Sequence, residues 1–242
     1  MLTMNNINIL NEWIKNSNNI VVFTGAGMSV PSKIPDFRSS NGIYSEKFNK
    51  ILNPETIISH TFFTRYPSIF YEFYFKKMVY EDAKPNKAHL YFSKLQDSKN
   101  ISVITQNIDG LDKKAGIKDV IELHGTIWDN HCTLCHKYYH LNDFNHDSIP
   151  YCKCGGIIKP DVVLYEENLN NDDIMRAIKL ISNCDLLIVI GTSLVVYPAA
   201  SFINYYKGNK LVIINKTKTN GDNLANLVIN DDIINVINEL SK

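Results

Sequence analysis

The feature that most constrains the fold is a set of apolar runs that each stop at a short polar motif. Ile20-Val21-Val22-Phe23 leads into Gly25-Ala26-Gly27-Met28-Ser29, and Ile101-Ser102-Val103-Ile104 leads into Thr105-Gln106-Asn107-Ile108-Asp109-Gly110. Val120-Ile121-Glu122-Leu123 leads into His124-Gly125, and Leu186-Leu187-Ile188-Val189-Ile190 leads into Gly191-Thr192-Ser193. Short runs of this kind read as strands buried on both faces, as parallel sheets require. Helical patterns separate them: Ile7, Leu10 and Ile14 mark a helix over residues 3–16. Further helices are expected near 86–97, 171–182, 198–206 and 231–240, with another strand at 211–214. Strands alternating with helices predict an α/β fold, a Rossmann-like and mostly parallel, doubly wound sheet flanked by helices. In such a sheet the strand carboxyl ends converge on one crevice, so motifs distant in sequence can build one site. A nucleotide-handling enzyme with a structural metal is the reading this favours.

The metal is suggested by a cysteine quartet. Cys132-x-x-Cys135 and Cys152-x-Cys154 form two tight turns, and Gly155-Gly156 suits a knuckle after the second. Four thiolates complete the tetrahedral shell of Zn²⁺ and leave no position for water or substrate, so this ion is expected to staple the segment and do no chemistry. His131, His136 and His140 are expected at the surface rather than as extra ligands. Cys184, just before an apolar run, is expected as a buried structural thiol.

Charge excludes other classes. Lys+Arg and Asp+Glu number 25 each, so the formal net charge is zero and gives no electrostatic reason for specific nucleic-acid or membrane binding. No stretch approaches the ~20 apolar residues of a membrane span, and the N-terminus has no leader-like pattern, so a cytoplasmic protein is expected.

The polar motifs suggest specific chemistry. A strand followed by Gly25-Ala26-Gly27 can present backbone amides to phosphate. The third glycine of the dinucleotide fingerprint is replaced by Val30, and no acid closes a nearby strand as the ribose anchor. Hydride-transferring dehydrogenases are therefore disfavoured, while nucleotide binding is retained. Gly191-Thr192-Ser193 offers small donors to phosphate or ribose, and Asn215-Lys216 ends the next strand where an adenosine could sit. His124, at a strand end beside glycine, is placed to act as a general base, although alone it reads equally as a buried structural histidine. Asn107 and Asp109 could hold an amide or a ribose.

Residues 30–50, rich in Pro, Ser, Gly and Asn, read as a long functional loop. Asn53-Pro54-Glu55 is a helix-start signal. The aromatic residues crowded over 62–80 are expected to pack as a helical core rather than wall a substrate tunnel.

Taken together, these motifs resemble the sirtuin family of NAD-dependent protein-lysine deacylases. The likeness covers nearly the whole chain, in family order: Gly25-Ala26-Gly27-Met28-Ser29, Ile34-Pro35-Asp36-Phe37-Arg38, Thr105 to Leu111, Lys114-Ala115-Gly116, Glu122-Leu123-His124-Gly125-Thr126, the four cysteines, Lys159-Pro160-Asp161-Val162-Val163, and Gly191-Thr192-Ser193-Leu194 with Pro198-Ala199-Ala200. The resemblance implies one catalytic unit: an NAD-binding core of about 1–30, 86–126 and 160–242, a helical and cofactor-loop insertion of about 31–85, and a zinc-ribbon insertion of about 127–159. It implies NAD as co-substrate and one structural Zn²⁺ per chain. Ala26, Phe37, Arg38, Gln106, Ser193 and Asn215 resemble NAD contacts. The implied cofactor site also takes in Gly25, Gly27, Val30, Asp36, Gly191, Thr192, Lys216 and Ile233. Ile108 and Asp109 resemble the nicotinamide pocket, Asn107 the residue that positions the ribose, and His124 the base. Val162, Val163, Leu164, Tyr165 and Glu166 face Val195, Val196 and Tyr197 as the two edges between which an extended acyl-lysine peptide adds as a strand.

The implied reaction begins with attack of the acyl oxygen on the anomeric carbon as nicotinamide departs. His124 then takes a proton from a ribose hydroxyl, which attacks the imidate carbon. The products are free lysine, nicotinamide and O-acyl-ADP-ribose. Water must stay out, and the loop 30–50 with Phe37 is the expected lid. ADP-ribosyl transfer to protein at the same NAD site is the alternative.

Some positions depart from the family pattern. Lys33 replaces a glycine, Asp112 stands where histidine is common, and Glu166 replaces a glycine in a Tyr165-Glu166-Glu167 turn like that of a bacterial subgroup. The Tyr-x-x-Arg pair of members preferring acidic acyl groups reads here as Tyr74-x-x-Lys77. Lysine is the poorer carboxylate clamp, so neutral acyl groups, acetyl first, are expected.

Overall fold

Uninterrupted Val, Ile and Leu runs are stable as strands only when both faces are covered. A computed structural model, which describes residues 4–36, 42–43 and 53–242, shows how this chain covers them. In chain order the elements are α1 (Met4–Lys15), β1 (Asn19–Thr24), α2 (Pro54–Ile57), α3 (His60–Arg65), α4 (Pro67–Lys77), α5 (Lys87–Leu95), β2 (Asn100–Thr105), α6 (Leu111–Lys114), β3 (Asp119–Glu122), β4 (Gly125–Cys132), β5 (Tyr138–His140), β6 (Ile158–Val162), α7 (Asn171–Asn183), β7 (Leu186–Ile190), β8 (Leu211–Ile214), β9 (Leu227–Ile229) and α8 (Ile233–Leu240).

Six strands form one parallel sheet in the order β3-β2-β1-β7-β8-β9. The chain crosses from one half of the sheet to the other between β1 and β7, which is where doubly wound sheets open their ligand crevice. Register makes the strand ends level. Thr24 pairs with Thr105 and with Ile190, Thr105 with Glu122, and Ile190 with Ile214. Every polar motif that follows a strand is thereby delivered to the same edge.

Successive residues of β7 serve opposite faces. Leu186, Ile188 and Ile190 pack with Leu10, Ile14, Val236 and Ile237 from α1 and α8. Leu187 and Val189 pack with Ala177 and Ile181 of α7. Burial of each such aliphatic side chain contributes about 1.5–3 kcal/mol. Cys184 is buried in this second layer, as expected, and burial pushes its thiol up to about 12.

The aromatic helices form a third core. Phe62, Phe63, Phe70, Tyr71, Phe73 and Tyr74 are all buried. Phe63 meets Phe70 edge-on at 5.0 Å, and Phe70 meets Tyr71 edge-on at 5.2 Å. The Tyr71 hydroxyl donates to the Ile158 carbonyl at 2.5 Å and ties α4 to β6. These rings therefore pack as core, and none of them lines the main cleft.

A second, antiparallel sheet of order β5-β4-β6 carries the cysteines. Sequence patterning did not resolve its strands, nor β9 and α6. The helix expected over 198–206 is instead a 3₁₀ segment, Ala199–Tyr205. There the Ser201 N–H and Oγ both donate to the Pro198 carbonyl, at 3.0 and 2.6 Å, which favours the tighter i to i+3 turn.

Candidate active site and metal centre

The level strand ends open into one cleft of about 750 Å³. Gly25, Ala26, Gly27, Val30 and Asp36 line it from the loop after β1. Gln106, Asn107 and Ile108 follow β2, and His124 follows β3. Gly191, Thr192 and Ser193 follow β7, Asn215 and Lys216 follow β8, and Ile233 opens α8. Val162 to Glu166 and Val195, Val196 and Tyr197 form two of its walls. Asp109 lines a small adjoining cavity of about 30 Å³, shared with Ala26, Asn107 and Ile108. Phe37, Arg38 and most of the expected lid lie outside the described residues.

The cleft also takes residues outside the expected site. Ile58 and Met78 come from the helical insertion, Glu167 and Leu169 follow the expected peptide edge, and Asp231 and Asp232 precede α8. The last pair carries a sequence signal of its own: two acids just before a helix start, at the end of the short strand β9.

Two loops meet backbone to backbone at the cleft floor. The Gly27 N–H donates to the Gly191 carbonyl at 2.8 Å, and a Cβ on Gly27 would lie 2.6 Å from the Gly191 Cα. Only glycine permits that approach.

A buried polar network fixes the centre. Asn107 Nδ2 donates to the Gly25 carbonyl and to Ser29 Oγ, both at 3.0 Å, so the orientation of its amide is determined. Ser29 Oγ donates in turn to Asp109 Oδ2 at 2.6 Å, and the Leu111 N–H donates to Asp109 Oδ1 at 2.8 Å. Burial pushes the Asp109 carboxyl up, and these two donors oppose the shift.

His124 Nδ1 lies 2.9 Å from the Gln106 carbonyl. A carbonyl only accepts, so Nδ1 carries the hydrogen and Nε2 carries the free lone pair. Burial holds the imidazole below its ordinary pKa, partly opposed by the same hydrogen bond. The ring is therefore a neutral base at pH 7.

The segment expected as a peptide edge is built directly onto this histidine. The Val163 N–H donates to the His124 carbonyl at 2.9 Å, and Gly125 pairs with Val162. Gly125 has φ +73°, and a Cβ there would lie 1.7 Å from the Asp161 carbonyl oxygen, so no other residue fits. Glu166 sits in the left-handed region at φ 75° while its carboxylate accepts from the Thr61 N–H at 2.9 Å, in the first turn of α3. Glu167 accepts from the Leu164 N–H at 2.9 Å and from Lys159 Nζ at 3.1 Å, and meets His60 Nδ1 at 2.8 Å. Lys33 is also left-handed, at φ 67°, a backbone state that suits the glycine it replaces.

The pair Tyr74 and Lys77 is divided. Tyr74 is fully buried against Phe70, with rings stacked 5.7 Å apart, whereas Lys77 lines the small cavity.

At the other end of the small sheet the four cysteine Sγ atoms lie within 4.8 Å of one another, and no disulfide joins them. Cys132 and Cys154 are 3.4 Å apart, and Cys135 and Cys152 are 3.6 Å apart. Zn–S bonds of ~2.3 Å in a tetrahedron require about 3.8 Å between sulfurs, so the quartet fits Zn²⁺. The Leu134 and Cys135 N–H groups point at Cys132 Sγ from 3.4 and 3.5 Å and favour the thiolate. His131 pairs with Asp161 instead, and His140 accepts from the Asn142 N–H.

Comparison with known proteins agrees with this geometry. Residues 25–198 match the sequence profile of the Sir2 family. A protein of Clostridium perfringens named NAD-dependent protein deacetylase is 53% identical over 238 residues, covering 97% of this chain and 98% of that one. The chain belongs to the Sir2 family. A Staphylococcus aureus protein of the same name is 44% identical over 238 residues, covering 98% of each chain. A solved Sir2 complex with a p53 peptide and NAD+ superposes with a TM-score of 0.84 at 38% identity, over 97% of this chain and 96% of that one. A Sir2 bound to acetylated peptide superposes with the same score at 36% identity, again over 97% and 96%. Among the described residues, no helix is long and apolar enough to cross a membrane.

Proposed function

We propose that this sirtuin is an NAD-dependent protein-lysine deacetylase whose base is His124. One observation carries the assignment. In a single cleft, a neutral imidazole with Nε2 free sits beside an amide of determined orientation, and its own carbonyl anchors the strand offered to a peptide. NAD, when bound, supplies an activated sugar carbon with nicotinamide as the leaving group.

This chain's residues do the rest. Gly25 to Gly27 and Gly191 to Ser193 hold the phosphates and ribose with backbone and small donors, and Asn215, Lys216 and Ile233 hold the adenosine end. Asn107 positions the reacting ribose, and Asp109 accepts from the carboxamide. His124 Nε2 takes the proton from the ribose hydroxyl. The acyl-lysine protein segment lies extended between Val162–Glu166 and Val195–Tyr197, adding a strand. Ile58, Met78, Ile108 and Leu164 give the acyl group an apolar wall, which favours neutral chains, acetyl first. Because Tyr74 is locked in the aromatic core, it forms no carboxylate clamp with Lys77. Zn²⁺ on Cys132, Cys135, Cys152 and Cys154 closes the small sheet without touching the reaction.

The test is an acetyl-lysine peptide assayed with and without NAD. NAD-dependent deacetylation is expected, and His124→Ala should lower kcat about 10²–10⁴-fold while the protein stays folded. No NAD-dependent loss of acyl groups over a panel of acyl peptides sinks the assignment. Transfer of ADP-ribose to protein without an acyl group would support the transferase reading instead.

A further inference from the structure

At the small cavity, Asp109 on its wall interacts with two further carboxyl groups, Asp112 and Glu122. Asp109 and Asp112 are 9% and 3% exposed, and the Glu122 side chain is 9% exposed. Glu122 has its own cation, because Lys113 Nζ lies 2.6 Å from Glu122 Oε2. Asp129 of β4 adds negative charge near Glu122. Lys114 spends its ammonium on the Glu81 and Ala83 carbonyls and over the Trp128 ring, while Lys77 and Tyr80 line the cavity that Asp109 borders. Among the described residues, no cation pairs with Asp109 or Asp112. Asp109 uses both oxygens on neutral donors, whereas Asp112 Oδ1 is fully buried without a partner. Two neighbouring buried carboxyls without a counter-charge do not both ionise, so one retains a proton.

We propose that Asp112 holds this proton in the free enzyme and yields it to solvent when the cationic ring of oxidised NAD enters beside Asp109, so that NAD binds with proton release and neutral nicotinamide leaves with proton uptake. The Asp112 O–H bond breaks, the proton goes to buffer, and the positive charge of the ring offsets the carboxylate left behind. Asp112 does not line the cavity, so it acts through Asp109 as a positioning residue. This rests on the reading of Asp109 as the carboxamide's partner.

The physical state of the pair agrees. Burial, with the charges of Asp109 and Glu122, pushes Asp112 up to about 7, partly opposed by the Thr105 hydroxyl. Burial holds His124 below its ordinary pKa, so it favours the neutral form and Asp112 is the larger store of protons here. The sign follows. Below pH 7 the free enzyme must lose a proton to bind NAD, so affinity climbs with pH toward about tenfold per unit and levels off above 7.

Titration calorimetry at pH 6.5 in two buffers of different ionisation enthalpy counts the protons. Wild type should release most of one proton on binding NAD and none on binding ADP-ribose, which lacks the ring. Asp112→Asn should release none with NAD and should hold NAD at the wild type's low-pH affinity at every pH, with ADP-ribose affinity unchanged as proof of folding. If the variant does not fold, the wild-type contrast between NAD and ADP-ribose decides alone. Equal proton counts for the two ligands, or undiminished release by Asp112→Asn, overturn the proposal. ADP-ribose binding no more weakly than NAD, with Asp109→Asn affecting neither ligand, removes the nicotinamide reading underneath it.

Discussion

In the six-stranded sheet, β7 and β8 are buried at every position and pack alternately against helices on both sides. In the three-stranded sheet, β4 mixes buried with half-exposed residues and β5 has none buried. Around the cysteines, the fully buried set is Cys132, Cys152 and Ile158, flanked by Tyr139 and Phe144. A region that small cannot offset its chain entropy by burying apolar surface, so cross-linking by metal has to substitute. The cleft spans both regimes: Gly25 to Gly27, Asn107 and Gly191 to Ser193 follow strands of the burial-held sheet, whereas Val162 ends β6 of the metal-held one.

Three experiments break or sharpen this contrast. The largest effect is expected from zinc removal, since structural Zn²⁺ sites of this kind are worth on the order of 10 kcal/mol. A chelator should raise amide exchange sharply over residues 127–159 while Leu186–Ile190 stays protected. Equal loss of protection in both sheets would refute the division. Next, Ile188→Ala removes a buried side chain of β7 that packs toward α1 and α8 and should cost about 2–5 kcal/mol of global stability in denaturant melts. Zinc content, read by metal analysis of the folded protein, should not change. Smallest, Asn170→Ala removes the side-chain oxygen that accepts from the Asp172 and Asp173 N–H groups at the start of α7. A loss of about 1 kcal/mol with unchanged kcat is expected, and a larger one would mean that α7 is less supported by Ala177 and Ile181 than its burial indicates.

The same contrast explains what was legible in the sequence. β7 and β8 coincide with the apolar runs 186–190 and 211–214 because burial on both faces leaves one kind of residue to choose from. β4 was not visible, since Gly125-Thr126-Ile127-Trp128-Asp129-Asn130-His131-Cys132 follows neither period and pairs through a register shift. Loop motifs at strand ends were readable because close backbone approach and proton transfer admit few residue types. Ile58 and Met78 were not, as ordinary residues brought to the cleft by packing. The left-handed Glu166 was noted only as a departure; the α3 backbone N–H that its carboxylate meets belongs to tertiary structure alone.

The join at His124 and Gly125 has a mechanical consequence. One peptide unit holds the imidazole on one side and the first rung between β4 and β6, Gly125 with Val162, on the other, where the glycine tolerates no side chain. On the proposed reading, a cargo that tugs the end of β6 out of line would also lever His124 away from its target, so seating of the cargo and aim of the base would be geared together.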